Sequence, residues 1–313
     1  MGLGLPLGLA VFAWPAPADP CLTAVEPAAT VTIDHPGFFA ASVTTVDRDA
    51  PLQITVRPQG GGPCVLVLDH EGGGWLEAGD YDVEIVALDG GQPSLGLQLA
   101  HTSTAALEAR GVSPPLARAA LLATDSAWTD GLASRLRLTI ANYGLPSDEE
   151  RLWLVNLRTG FVDDPLFVSH GKGSGGSDRR DAVRFSNTPH SNQTSLGLMR
   201  GAETYIGSHG RSLRLDGLEP ALNDLARPRA IVVHGAEYAR VEHIGEWGYL
   251  GRSFGCPSVD DRIANVVIDA IADGGLFFAW HPDLRWDELS TFAWTPPPSA
   301  EPSLPPTDPP LVH

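Results

Sequence analysis

Residues 230–235 read Ala230-Ile231-Val232-Val233-His234-Gly235, and residues 252–258 read Arg252-Ser253-Phe254-Gly255-Cys256-Pro257-Ser258. The first stretch is an apolar, β-branched run ending at a histidine, the pattern of a buried strand. The second leads into a helix read over Ser258 to Asp273. Ser258 with Asp261 makes a capping box, Ile263, Val266, Val267, Ala270 and Ile271 supply an apolar face, and Gly274 closes it. On this reading Cys256 stands just ahead of a helix N-terminus, where unpaired N–H groups and partial positive charge favour a thiolate. The same N–H groups can hold an oxyanion, and Gly255 permits the tight turn. A strand-end imidazole and a helix-start thiol can meet across a sheet edge as an activated nucleophile. Position and spacing alone equally allow a small core cysteine beside a satisfied histidine.

Outward from this pair the chain divides in two. From Ala29 to about Thr104 the pattern has period two: Val31 and Ile33, then Leu52, Ile54 and Val56, then Cys64 to Leu68, Leu76 to Ile85, and Leu95, Leu97 and Leu99. Turn residues separate these runs, which predicts an antiparallel β-sandwich. From Thr104 to Leu132 the pattern is helical, broken at Gly111 and Pro114-Pro115, with Leu116, Ala119, Ala120 and Ala123 on the second helix. Strands are expected at Leu136–Ile140, Leu152–Leu157, Phe161–Val168 and Leu276–Trp280. A loop-rich region is expected from Ser169 to Arg211, and such a loop within a domain usually has a function.

Of 313 residues, 43% are apolar, enough for a sizeable core, and 38 acidic against 21 basic residues give a formal charge of -17. That balance disfavours nucleic acid as a partner. Met1 to Ala18 carries a short apolar run, Leu3 to Trp14, followed by Ala16-Pro17-Ala18. It suits a signal peptide (residues 1–18) and a periplasmic or cell-wall location, although no basic residue precedes the run. No transmembrane segment is expected. Three cysteines in an oxidising compartment leave one unpaired. Pairing Cys21 with Cys64 would leave Cys256 free; the alternatives are three reduced thiols, or lipidation at Cys21 despite a poor lipobox. Residues 295–313 are a Pro-rich tail.

The segment from His234-Gly235 to Ser253-Phe254-Gly255-Cys256 resembles the signature of the YkuD-like L,D-transpeptidases, and more closely the subgroup of murein L,D-transpeptidase catalytic domains. Leu152-Trp153-Leu154-Val155, His170-Gly171-Lys172-Gly173-Ser174-Gly175, Phe185-Ser186-Asn187-Thr188 and Ser212 to Glu219 look like its other characteristic stretches, so the likeness runs from about Leu107 to Trp280. Leu76 to Ile85 also resembles the jelly-roll accessory domains of secreted bacterial hydrolases. The resemblance implies a mainly β fold with helices: a β-sandwich over residues 22–104, then an L,D-transpeptidase-like catalytic domain over 105–290 with flanking helices. It implies that Cys256 attacks the carbonyl between the third and fourth residues of a peptidoglycan stem tetrapeptide. D-Alanine leaves, and an amine or water resolves the thioester. His234 would be the base, oriented by a backbone carbonyl, with the N–H groups of Gly255 and Cys256 binding the oxyanion. No metal or organic cofactor is implied.

The chain departs from the signature at Phe254, where a histidine is usual, and at Pro257-Ser258-Val259, where an Arg or Asn is usual. Arg252 or Arg214 could then supply the charge for a stem carboxylate. Gly235, Ser253, His209 and Lys172 are the remaining candidates for lining the substrate.

The His170–Ser177 loop lacks Walker spacing and reads chiefly as a flexible surface loop. His170, His190, His209 and His243 show no metal-ligand spacing. Asp216 and Glu219 near Arg214 read as a structural ion-pair network, and Trp75, Trp247 and Trp280 as core. Two rivals remain: an L,D-carboxypeptidase that hydrolyses the same thioester, and a cell-wall binding protein with an inert cysteine.

Overall fold

In the computed structural model, residues 28–45, 52–61, 63–69, 71–88, 95–283 and 286–292 are described. The expected signal peptide, the Cys21 half of the expected Cys21–Cys64 disulfide, and the Pro-rich tail lie outside them.

Seven strands open the chain: β1 (Ala29–Ile33), β2 (Gly37–Thr45), β3 (Leu52–Pro58), β4 (Leu66–Leu68), β5 (Glu71–Leu76), β6 (Gly79–Ala87) and β7 (Leu95–Ser103). They form two antiparallel sheets, ordered β1-β6-β3-β4 and β5-β2-β7. Ile33, Phe39, Ala41, Ile54, Val56, Leu76 and Val83 fill the space between them, as the alternation predicts. Neither β2 nor β5 stands out in the sequence, each for a physical reason. Phe39 and Ala41 of β2 face the sandwich while Phe38 and Ala40 join the neighbouring core, so both faces are buried and no alternation marks the strand. β5 is built on Gly72-Gly73-Gly74: a Cβ at Gly73 would stand 2.4 Å from the Phe38 ring, and one at Gly74 2.2 Å from Leu66.

Ser103 ends β7 and caps α1 (Thr104–Glu108), its hydroxyl accepting from Ala106 N–H at 3.0 Å. α2 (Pro114–Thr129) starts on the proline pair. Leu116, Ala120, Ala123 and Ala127 of α2 pack with Phe38 on one side and with Leu138, Ile140 and Phe278 on the other. Asp125 accepts the Trp75 N–H at 2.9 Å, so α2 ties the sandwich to the larger sheet of the second domain.

That second domain builds one eight-stranded sheet from β8 (Arg137–Asn142), β9 (Leu152–Asn156), β10 (Phe161–Val162), β11 (Gly197–Gly207), β12 (Gly210–Gly217), β13 (Val232–Ala236), β14 (Ser258–Asp260) and β15 (Leu276–Trp280). Its order is β10-β9-β8-β15-β11-β12-β13-β14, with β8/β15 and β13/β14 parallel. α3 (Val241–Trp247) joins β13 to the cysteine loop, and α4 (Ala264–Ile271) comes after β14. Val267, Ile268 and Ile271 of α4 bury against Leu213, Val233, Phe277 and Ala279, on the face opposite α2. The mainly β fold with flanking helices, led by an antiparallel sandwich, is the architecture the sequence implies.

Three local expectations are corrected. The loop expected over 169–211 gives way to β11 from Gly197, whose polar residues Arg200, Glu203 and Thr204 hid the strand pattern. The strand expected over 161–168 shrinks to the two residues of β10 and a bridge between Leu152 and Leu166. Ser258 caps no helix: residues 258–260 pair in parallel with 234–236, and α4 starts at Ala264 after Ile263, without a side-chain cap. Cys256 is therefore a loop residue entering a strand.

Gly235 is where β13, β14 and α4 converge. A Cβ there would lie 2.7 Å from Asp261 Cα and 2.9 Å from Ala264 Cβ. Gly235→Ala is expected to lower stability by about 1–3 kcal/mol through overpacking. At Gly245, in α3, a Cβ meets nothing within 4 Å, so Gly245→Ala should leave stability equal or raise it by up to about 1 kcal/mol. Urea unfolding of the two variants checks the contrast.

Candidate active site

Residues paired across neighbouring strands point to the same face of a sheet. Ser212 pairs with His234, Arg214 with Val232, and His234 with Ser258. Leu213 and Val233 turn into the core under α4, so His234, Ser258, Ser212 and Arg214 share the opposite face.

His234 is buried. Its Nδ1 lies 2.9 Å from the Gly235 carbonyl and its Nε2 3.0 Å from the Ser258 hydroxyl. A carbonyl only accepts, so Nδ1 carries the proton and donates, which leaves Nε2 as the acceptor of the neutral ring. The expected orientation by a backbone carbonyl is thus supplied by Gly235. Burial pushes the imidazole below its ordinary pKa; the Gly235 hydrogen bond opposes the shift and His209 adds to it. The His209 ring stacks on that of His234, with centroids 4.2 Å apart. His209 stands at the exposed tip between β11 and β12.

Cys256 is a free thiol. Its Sγ donates to the Ala230 carbonyl at 3.7 Å, and Ala230 itself holds a left-handed φ of 56°. Burial raises the thiol above its ordinary pKa, while the Val232 N–H and the Arg229 cation pull it down. The thiolate-favouring helix terminus read from the sequence is absent, and these two groups stand in its place. Ser258 lies between the pair: its hydroxyl meets His234 Nε2 and is 3.5 Å from the Cys256 carbonyl.

The cysteine turn is braced from within. Ser253 Oγ accepts the Gly255 N–H at 3.0 Å and donates to the Cys256 carbonyl at 2.6 Å. Gly255 takes a φ of +123°, and a Cβ there would come within 2.8 Å of the Gln193 carbonyl. The Gly255 N–H expected to hold an oxyanion is therefore already committed to Ser253. Ser253 and Gly235, read as substrate-lining, are both buried; Ser253 braces the turn and the Gly235 carbonyl orients the histidine.

The segment around Lys172 is no flexible surface loop. Ser169 bridges to Ser258 and Gly171 to Ser253, with Lys172 N–H donating to the Ser253 carbonyl at 2.7 Å. Beneath it the Arg151 guanidinium is wholly buried. It donates to the carbonyls of Leu145 (2.6 Å) and Val168 (2.9 Å) and meets His170 Nδ1 at 3.0 Å. Burial first, then Arg151 and Arg252, push His170 down to about 3, so it stays neutral beside the cation. The Lys172 side chain is exposed, its ammonium 4.0 Å above the Phe254 ring, and Phe254 is 70% exposed.

Among the remaining candidates, Arg214 is paired with Glu203 at 3.1 Å and stacked on Tyr205 at 4.6 Å. Arg227 bridges Glu203 and Asp216, completing the ion-pair network expected there. Glu219 instead accepts the Leu198 N–H, fixing the turn after β12. Arg252 makes a long bond to the Lys172 carbonyl, 3.5 Å. Trp75 and Trp280 pack against the core as read, but Trp247 is 57% exposed. Among the described residues no three His, Cys, Asp or Glu side chains group as metal ligands. One surface cleft, of about 450 Å³, lies away from these residues and is lined by Leu66, Leu68 and Trp128.

Arg229, Tyr238 and Ser258 escaped sequence reasoning as site residues. Arg229 reaches over to the 186–195 loop and donates to the Ser186 and Gln193 carbonyls and the Ser195 hydroxyl at 2.5–2.7 Å. Tyr238 meets the Ser258 hydroxyl at 2.9 Å. None carried a local signal as a site residue: Ser258 reads as a helix cap until the parallel register sets it beside His234.

Residues 108–280, more than half of the chain, match the family model described as L,D-transpeptidase catalytic domain. No curated relative matches the chain. Among solved structures, an L,D-transpeptidase from Mycobacterium smegmatis aligns at 12% identity and a TM-score of 0.30, covering 82% of this chain and all (100%) of that one. A second L,D-transpeptidase, solved in complex with imipenem, aligns at 12% identity and 0.28, covering 81% and 98%. At those scores the two alignments add nothing to the family match. The chain belongs to the L,D-transpeptidase catalytic domain family.

Proposed function

We propose that the protein is an exported peptidoglycan L,D-transpeptidase that works by cysteine acyl transfer. The observation that carries this reading is that Cys256, with its free thiol, and the carbonyl-oriented His234 meet at Ser258, whose hydroxyl is 3.0 Å from Nε2 and 3.5 Å from the Cys256 carbonyl. Cys256 Sγ attacks the carbonyl carbon between the third and fourth residues of a stem tetrapeptide, and its proton passes to His234 Nε2. The imidazolium returns that proton to the departing amine of D-alanine, leaving a thioester. An acceptor amine then attacks the thioester, gives its proton to His234, and restores the thiol. Arg252 is better placed than Arg214 to meet a stem carboxylate, since Glu203 already neutralises Arg214. Lys172 and Phe254 form an exposed amphipathic rim beside the cysteine. No helix among the described residues is long and apolar enough to cross a membrane.

Incubation with muropeptides, with mass spectrometry of the products, tests the reaction. Cross-linked product with release of D-alanine is expected from the intact enzyme. Tripeptide alone would move the assignment to L,D-carboxypeptidase, and no product at all would leave the binding-protein reading. Intact-mass labelling by a carbapenem or iodoacetamide should add one adduct, lost in Cys256→Ala.

His234→Ala should abolish turnover while leaving the circular-dichroism spectrum native; normal turnover would falsify the base. Because burial raises the Cys256 thiol and lowers the His234 imidazole, both are neutral in the free enzyme at pH 7. Iodoacetamide labelling should therefore climb with pH and show no plateau below about pH 8.5, the ordinary thiol value.

A further inference from the structure

The hydrogen bonds around His234 point to a device that the acyl-transfer scheme does not contain. Nδ1 donates to the Gly235 carbonyl, so the Nε2 lone pair is the ring's one remaining acceptor. The Ser258 hydroxyl stands 3.0 Å from Nε2 and, when it points there, gives it its single proton. Ser258 Oγ can then only accept from Tyr238, whose hydroxyl is 2.9 Å away. In that arrangement donation runs from Tyr238 O–H to Ser258 Oγ and from Ser258 O–H to His234 Nε2. Ser258 is wholly buried, so bulk water does not take its place. The lone pair that must receive the thiol proton is already occupied, and Cys256 Sγ rests on the Ala230 carbonyl instead.

The same hydroxyl has a second acceptor. The Cys256 carbonyl lies 3.5 Å from Ser258 Oγ and accepts so far from Ser253, which leaves it a second lone pair. Turning the hydroxyl proton from Nε2 toward this carbonyl frees the Nε2 lone pair of its hydrogen bond. We propose that Ser258, backed by Tyr238, is a positioning residue that caps the His234 base in the free enzyme and releases it by rotation of its hydroxyl. The inference rests on Cys256 and His234 being nucleophile and base. No covalent bond forms or breaks in the step; one hydrogen bond is exchanged for another.

A hydroxyl donated to Nε2 stabilises the neutral imidazole, so its removal makes His234 more basic and a better partner for the thiolate. The test is the pH profile of iodoacetamide labelling at Cys256, with the His234 imidazole tracked by NMR titration. In Ser258→Ala the imidazole should titrate at higher pH, the labelling profile should move to lower pH, and labelling at pH 7 should rise about three- to tenfold. Ser258→Thr keeps the hydroxyl and should restore the native profile. Tyr238→Phe removes the donor behind Ser258, so the profile should move the same way by less, and this variant keeps the buried serine should Ser258→Ala fold poorly. A Ser258→Ala profile identical to the native one, or moved to higher pH, overturns the cap while leaving nucleophile and base intact. Failure of Cys256 to label at any pH removes the nucleophile assignment and the cap with it.

Discussion

Everything at the site depends on three residue pairs, His234 with Ser258, Gly235 with Val259 and Ala236 with Asp260, in the parallel pairing of β13 with β14. β14 is an edge strand of three residues, and a strand so short holds its register only if its surroundings impose it. They do so from three sides. Ser169 bridges to Ser258 from the outer edge. Val259 is buried in the core under α4. Gly235 lets Asp261 and Ala264 approach to a distance that no side chain would permit. A slip of one residue would turn Ser258 into the core and Val259 toward the histidine, exchanging a hydroxyl for an isopropyl group at Nε2. Register and chemistry are thus one constraint.

The sequence made the coarse fold legible because its strands are mostly one-sided. Alternation in Val31–Ile33 and Leu52–Val56 reports a sheet with one dry face, and the structure builds those strands. The pattern fails where its assumption fails. β2 is dry on both faces and β5 is glycine, so neither carries a period-two signal. β11 is long, and beyond Arg200 it mixes Glu203 and Thr204 with an exposed Ile206 as it leaves the core. The mistaken helix start is the most instructive case. Ser258 and Asp261 satisfy the capping-box rule locally, but the hydroxyl is claimed by a histidine twenty-four residues away in the chain, a contact no local window contains. Cys256 and His234 were singled out by residue type and by family resemblance. What links them, Ser258 with Tyr238, was not, because it exists only once the parallel register is set.

The loss of the helix terminus changes how negative charge on the sulfur has to be met. A helix dipole would have offered partial charge aligned on the thiol at no cost in buried ions. In its place the chain brings Arg229, half-buried, with its donors spent on neutral oxygens of the 186–195 loop. A cation so committed keeps its full charge for the thiolate, whereas one paired with a carboxylate, as Arg214 is with Glu203, presents almost none. Because the guanidinium also pins the loop whose Gln193 carbonyl packs against Gly255, any shift of that loop moves the charge relative to the sulfur. Thiolate stability and the closure of the cysteine turn are therefore coupled through one side chain. The Arg229 charge offsets part of the desolvation that holds the thiol above its ordinary pKa, and burial outweighs it.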